Sequence, residues 1–176
     1  MTHKSTWKQL PRIVSLGEDA VSGIIPIVEE LRLPRDPLII TTKTPKMVAG
    51  LEILRNFEES GHSPKMIVIK SEGMEEVERV IRELKKDDFG FVIGVGGGKP
   101  IDIAKIASVE LHKEFISVPT AASHDGIASS RASMPDGEIH HSITAKPPIA
   151  IIADTKIIAG APWKLTSAGC ADIISN

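Results

Sequence analysis

One stretch constrains the fold more than any other: Phe91 to Lys105, FVIGVGGGKPIDIAK. Phe91, Val92, Ile93 and Val95 form a short apolar run of β-formers, the pattern of a strand covered on both faces. Gly96, Gly97 and Gly98 follow directly. Lacking a Cβ, they can take positive φ and let another group approach the backbone closely. Pro100 suits the first turn of a helix, and Ile101, Ile103, Ala104 and Ile106 continue at helical spacing. The N–H groups and dipole of such a helix start make a seat for an anion, here a dinucleotide pyrophosphate. A plain βα turn would not require three adjacent glycines, which carry an entropic cost. Two common fingerprints fail. GxGxxG starting at Gly94 would need glycine where Lys99 stands. A P-loop ending at Lys99 would need glycine at Ile93 and Ser or Thr at Pro100.

The rest of the chain repeats the strand–helix alternation. Residues 12–16, 65–70 and 115–118 read as further strands, 38–41 as a buried one, and 149–153 as another buried one after a change of rhythm. Between them, a helix over Ala20–Leu31 has Asp19 as its cap and Pro26 as an interruption. A second runs from a Thr44–Pro45 start to Glu59, with Met47, Leu51, Leu54 and Phe57 on one face. A third runs from Met74 to Lys85, with Val77, Val80, Ile81 and Leu84 inward and Glu75, Glu76, Glu78, Arg79, Arg82 and Lys85 solvated. Such alternation predicts an α/β fold: a Rossmann-like parallel sheet with helices on both faces. Ala132–Met134 and Ile139–Ile143 flank Pro135-Asp136-Gly137 and predict a β-hairpin insertion. A short helix is expected over Asp154–Ile158, and a longer one from Ala161 to Asn176. The division is residues 1–160 as a dinucleotide-binding domain and 161–176 as the start of a second, truncated helical domain. The chain stops at Ser175-Asn176 inside that helix without a cap, so the expectation is a fragment with a second domain removed. Exposed Ile173 and Ile174 and self-association of the fragment are expected to follow; a homo-oligomer is expected too, but is not read from that self-association.

Composition narrows the partners. With 176 residues, 41% of them hydrophobic, the chain can bury one real core. A net charge of −2 and only 3% aromatic residues leave neither a basic footprint nor a stacking surface for nucleic acid. The lone Cys170 excludes an internal disulfide framework and a Cys-based zinc site, and is assigned to the core. The N-terminus lacks a signal-like apolar run, and no stretch approaches the ~20 residues of a membrane span. A cytoplasmic protein acting on a small molecule is expected.

Ligands of parallel sheets gather at the carboxyl ends of strands. That places Thr41–Thr44, Gly96–Lys99 and Pro119–Gly126 together. Thr120 and Ser123 can hydrogen-bond a cofactor, and Asp125 can accept from a substrate hydroxyl. His124 beside Asp125 invites an acid–base or metal reading, although sequence neighbours usually point apart. His140 and His141 fit surface positions beside the hairpin turn. Asp172, among small and apolar residues on a helix, suits either an exposed face or a cation partner such as a metal. No acidic residue ends the second strand, while Lys43 and Lys46 are near. That permits NADP, and equally two solvated lysines.

Three segments in order, GVGGGKPIDIAK (Gly94–Lys105), PTAASHDGIAS (Pro119–Ser129) and AGCADIISN (Ala168–Asn176), resemble the archaeal sn-glycerol-1-phosphate dehydrogenase family. That family sits within the metal-dependent polyol dehydrogenase and dehydroquinate synthase superfamily. The resemblance spans the whole chain but only the amino-terminal half of such an enzyme. It implies NAD- or NADP-dependent reduction of dihydroxyacetone phosphate to sn-glycerol 1-phosphate, assisted by Zn²⁺, for archaeal ether lipids. By the same resemblance Gly96, Gly97, Gly98, Lys99, Pro100, Ile101 and Asp102 hold the cofactor phosphates and neighbouring groups. Thr120, Ala121, Ala122, Ser123 and Ser129 line the dinucleotide site. Asp125 and Asp172 are the catalytic, substrate-contacting residues, with Asp172 also a zinc ligand. The remaining ligands are histidines in the family's carboxyl-terminal domain, so the chain alone is expected to bind zinc poorly and lack turnover. A glycerol or other polyol dehydrogenase and a non-catalytic nucleotide-binding module are the alternatives.

Overall fold

The computed structural model describes residues 9–34, 36–71, 73–84, 88–136 and 139–175. Expectations for Lys85, Gly137 and Asn176, and for the side chain of His140, lie outside the described residues. Strands β1 (Ile13–Gly17), β2 (Leu38–Thr41), β3 (Lys65–Val68), β4 (Phe91–Gly96), β5 (Glu114–Pro119) and β8 (Ala150–Asp154) form a six-stranded, all-parallel sheet. Its order is β1-β8-β5-β4-β2-β3. Strands β6 (Arg131–Asp136) and β7 (Ile139–Thr144) pair antiparallel as the expected hairpin.

Both faces of the sheet are apolar, which is why the central strands lack an alternating pattern. Leu38, Ile40 and Val92 face a core shared with α4 (Met74–Leu84), α5 (Gly98–Glu110) and β6. Ile39, Phe91, Ile93 and Val95 face the opposite core, built with α1 (Ile24–Glu30) and α3 (Leu51–Glu59). All six residues of β4 are buried. So is every residue of α5 from Pro100 to Ser108, so that helix shows no polar stripe.

Several local expectations are corrected. Asp19 sits in the left-handed region (φ 55) and makes no side-chain cap; a single 3₁₀ turn, Ala20–Gly23, precedes α1. Pro26 then falls in the first turn of α1, where its missing N–H removes no helical bond. The second helix starts at Lys43 rather than Pro45, with Thr42 in place of Thr44 as N-cap. After α2 (Lys43–Pro45) it widens into a π-helical segment, Lys46–Gly50, before α3. The wider turn rotates the residues before it relative to those after it. Met47, inside the wider turn, is 67% exposed; Phe57 faces the core as expected, joined by Ala49 and Ile53. Glu76, assigned to a solvated face, is 4% exposed and accepts from the Lys70 N–H, the Ser71 hydroxyl and Arg79. Helix α6 (Thr155–Ala159) is capped by Asp154, whose carboxylate accepts from the N–H groups of Lys156 and Ile157. Helix α7 (Trp163–Ser175) carries Cys170 on its exposed side, not in the core. Gly169 takes the buried position because it lies against the Ala122 carbonyl, where no Cβ fits. Ile173 and Ile174 are exposed, as expected.

Candidate active site

The sheet order sets β5, β4 and β2 side by side, so the three strand ends flagged in the sequence meet at one edge. Register fixes them: Gly96 pairs with Pro119, and Thr41 with Val95. The Thr120 N–H donates to the Gly96 carbonyl (2.9 Å), and the Thr41 hydroxyl donates to the Val95 carbonyl (2.9 Å).

The adjacent glycines do different work. Gly96 has φ +148, and a Cβ there would run into the Pro100 ring. It is glycine for the turn itself. Gly97 has an ordinary extended backbone (φ −85, ψ −155) and is the N-cap of α5. A Cβ on Gly97 would meet nothing closer than the Ser123 hydroxyl at 3.8 Å. Neither strain nor protein crowding requires glycine there, so its missing side chain is space left open at the helix start. Gly98 begins α5, and the His124 ring packs against it, leaving no room for a Cβ.

Two clefts open on either side of this turn. One, of about 520 Å³, is lined by Thr42, Pro45, Gly97, Lys99, Thr120 and Leu165, among others. The other, of about 330 Å³, is lined by Gly98, Lys99, Asp102, His124, Asp125 and Asp172, among others. Gly98 and Lys99 border both.

The second cleft joins the two carboxylates singled out in the sequence. Asp172, on α7, accepts from the backbone N–H of Asp125 at 2.8 Å, across 47 residues of chain. Asp125 itself is exposed. His124 accepts the Gly126 N–H on Nδ1 (2.8 Å), which puts the proton of the neutral ring on Nε2. That nitrogen is buried without a partner among the described residues. His124 and Asp125, although neighbours in sequence, thus both border this cleft.

The other expected site residues divide between the clefts. Pro100 and Ala121 line the larger one, and Ile101 is fully buried in the core, able to offer a ligand only its backbone. Ser123 faces Gly97. Ala122 lies apart, in an apolar groove against α7. Ser129 is also separate from the larger cleft; it borders a smaller hollow with Asp102, His124 and Arg131. Asp102 is 5% exposed, and its carboxylate is engaged with Lys105 (3.4 Å) and the Ser133 N–H (3.2 Å). Burial pushes its carboxyl above the usual range, against the pull of Lys105. Lys105 carried no role in the sequence reading, yet it is fully buried. The available signal was a lysine three residues after an aspartate on a helix with no polar face.

Among the described residues no group of three or more His, Cys, Asp or Glu side chains converges to hold a metal. Asp172 could supply one donor, but these residues alone do not make a zinc site, which takes about three protein ligands. Nor is any described helix long and apolar enough to cross a membrane.

Sheet, covering helices and carboxyl-end cleft define a Rossmann-like α/β protein. The chain belongs to the iron-containing alcohol dehydrogenase family, whose model matches residues 15–162. It is 51% identical, over all of its 176 residues, to glycerol-1-phosphate dehydrogenase [NAD(P)+] of Halobacterium salinarum. It is 50% identical to the same-named protein of Methanoregula boonei over 98% of its length. The chain spans about half the length of these curated relatives (50% and 47%). Its fold matches glycerol dehydrogenase from Schizosaccharomyces pombe with TM-score 0.89 at 22% identity, covering 98% of this chain and 44% of that one. An iron-containing alcohol dehydrogenase from Thermotoga maritima matches with TM-score 0.84 at 21% identity, covering 97% and 54%.

Proposed function

We propose that this chain is the dinucleotide-binding part of an NAD(P)-dependent sn-glycerol-1-phosphate dehydrogenase, which reduces dihydroxyacetone phosphate reversibly for archaeal ether-lipid synthesis. The observation that carries the reading is the meeting of two clefts at Gly98–Lys99. A dinucleotide lying along the larger cleft and ending at that border would reach the cleft holding Asp125 and Asp172.

The open space at Gly97 suits a pyrophosphate against the first turn of α5, where helix N–H groups and dipole favour an anion. Thr120 and Ser123 would flank the cofactor from the β5 side. The end of β2 carries Lys43 and Lys46 and no acid, which admits a ribose 2′-phosphate as readily as a free hydroxyl. When bound, the reduced nicotinamide supplies a hydride to C2 of the substrate. Asp125 would orient a substrate hydroxyl by accepting its hydrogen bond, and Asp172 would border the reacting carbon from α7. Asp172 would also contribute one donor to a divalent metal whose other ligands come from outside these 176 residues. On this reading residues 1–160 are the cofactor domain and α7 opens a second, helical one.

A phosphate requirement separates the reading from a glycerol or polyol dehydrogenase. The full-length enzyme with NADPH or NADH is expected to reduce dihydroxyacetone phosphate and to leave dihydroxyacetone essentially unreacted. Comparable rates on both ketones would overturn the assignment in favour of a polyol dehydrogenase.

A further inference from the structure

Helix α5 buries a lysine that the proposed reaction does not use directly. Lys105 is 0% exposed, and its ammonium has three oxygen neighbours. It donates to the Arg131 carbonyl (2.6 Å) and the Gly126 carbonyl (2.7 Å), and faces Asp102 Oδ1 at 3.4 Å. The other Asp102 oxygen accepts the Ser133 N–H at 3.2 Å. One ion pair on one helix turn thus grips Gly126, Arg131 and Ser133, the two ends of the loop that begins with Asp125 and contains Ser129. At its near end the loop continues directly into the Asp125 N–H, which meets Asp172.

Core stability alone gives no reason for this choice. A buried ion pair carries a large desolvation cost, and apolar residues of similar volume are often as stabilising or more so. Burial indeed pulls the Lys105 ammonium below its ordinary range, while Asp102 pulls the other way. What the pair does provide is direction. An ammonium with two short carbonyl bonds fixes those carbonyls in place, which a methionine or leucine could not.

We infer that Lys105 is a positioning residue: through the Gly126 and Arg131 carbonyls it holds the loop so that Asp125 and Asp172 stand together at the substrate cleft. This rests on the reading of that cleft as a substrate site. The grip does not pass through Gly97 or Thr120, so the dinucleotide cleft is outside its reach.

The test uses the full-length enzyme and its Lys105→Met variant. Hydrogen exchange at residues 125–131 is expected to accelerate at least about tenfold, with exchange in β4 and β5 unchanged. NADPH affinity is expected to stay within about twofold, while kcat/KM for dihydroxyacetone phosphate falls about 100-fold, as for a displaced orienting group. Lys105→Arg, which keeps the donors, is expected to recover part of that loss. Should the single variant fail to fold, Asp102→Asn/Lys105→Met leaves no unpaired buried charge and takes the hydrogen-exchange measurement, with the same acceleration expected in the loop and none in β4 and β5. Unchanged exchange in the loop, or NADPH affinity falling in step with kcat/KM, would overturn the inference. The exchange result holds whether or not dihydroxyacetone phosphate is the substrate; an inactive wild type would defeat only the functional reading.

Discussion

Gly96, Gly97 and Gly98 look alike in the sequence and differ in what makes each a glycine. Gly96 carries the positive φ and would put a Cβ into Pro100, so Gly96→Ala is expected to lower stability by about 1–3 kcal/mol, read by urea unfolding. Gly97 needs glycine for neither reason. Gly97→Val is expected to cost no more than the ~1 kcal/mol of a poorer N-cap and to weaken NADPH binding at least about tenfold by occupying ligand space. Equal affinity in both proteins would remove this turn from the cofactor site. The sequence placed the loop correctly because a run of glycines between a buried strand and a helix has few uses. It did not separate the three roles, because these depend on φ and on neighbours brought from Pro100, Ser123 and His124. Lys105 escaped for a related reason: its acceptors are carbonyls 21 and 26 residues away, and carbonyls have no sequence signature.

In the first turn of α4, Glu76 shows how far a face-by-face reading of a helix can go. Periodicity identified Val77, Val80, Ile81 and Leu84 as the inward stripe; three are buried and Ile81 is half-buried against the same core. Glu76 borders that stripe and turns inward because the backbone N–H of Lys70 and the hydroxyl of Ser71 need an acceptor as the chain leaves β3. The Arg79 hydrogen bond, foremost, holds its carboxyl down at about 2. A depressed carboxyl contributes stability that is full above its unfolded value of about 4.5 and is lost as pH falls through that value towards 2. Glu76→Gln is therefore expected to cost about 2 kcal/mol at neutral pH, with the difference from wild type closing between pH 4.5 and 2. Equal differences at both ends of that window, in urea unfolding, would show the carboxylate charge to be irrelevant. The second helix was misread for a different reason. A π-helical segment inserts an extra residue into the repeat, and nothing in KMVAG announces it.

At the scale of the molecule, the parallel sheet was legible because its strands are covered on both faces and read as apolar runs separated by helices. Strand order was not, and it is the order that gathers the ends of β2, β4 and β5 into one wall. The pairing of Asp125 with Asp172 depends on α7 docking through Gly169 onto the Ala122 carbonyl, a contact no spacing rule foresees. Both residues stood out in the sequence as carboxylates at a strand end and on a helix; the fold explains why they meet. The glycerol-1-phosphate reading is also a statement about handedness, since hydride must reach one face of the C2 carbonyl. The most direct measurement is the configuration of the product formed by the full-length enzyme from dihydroxyacetone phosphate and NADPH. Exclusive sn-glycerol 1-phosphate is expected. Formation of sn-glycerol 3-phosphate, or of a mixture of the two, would contradict the account.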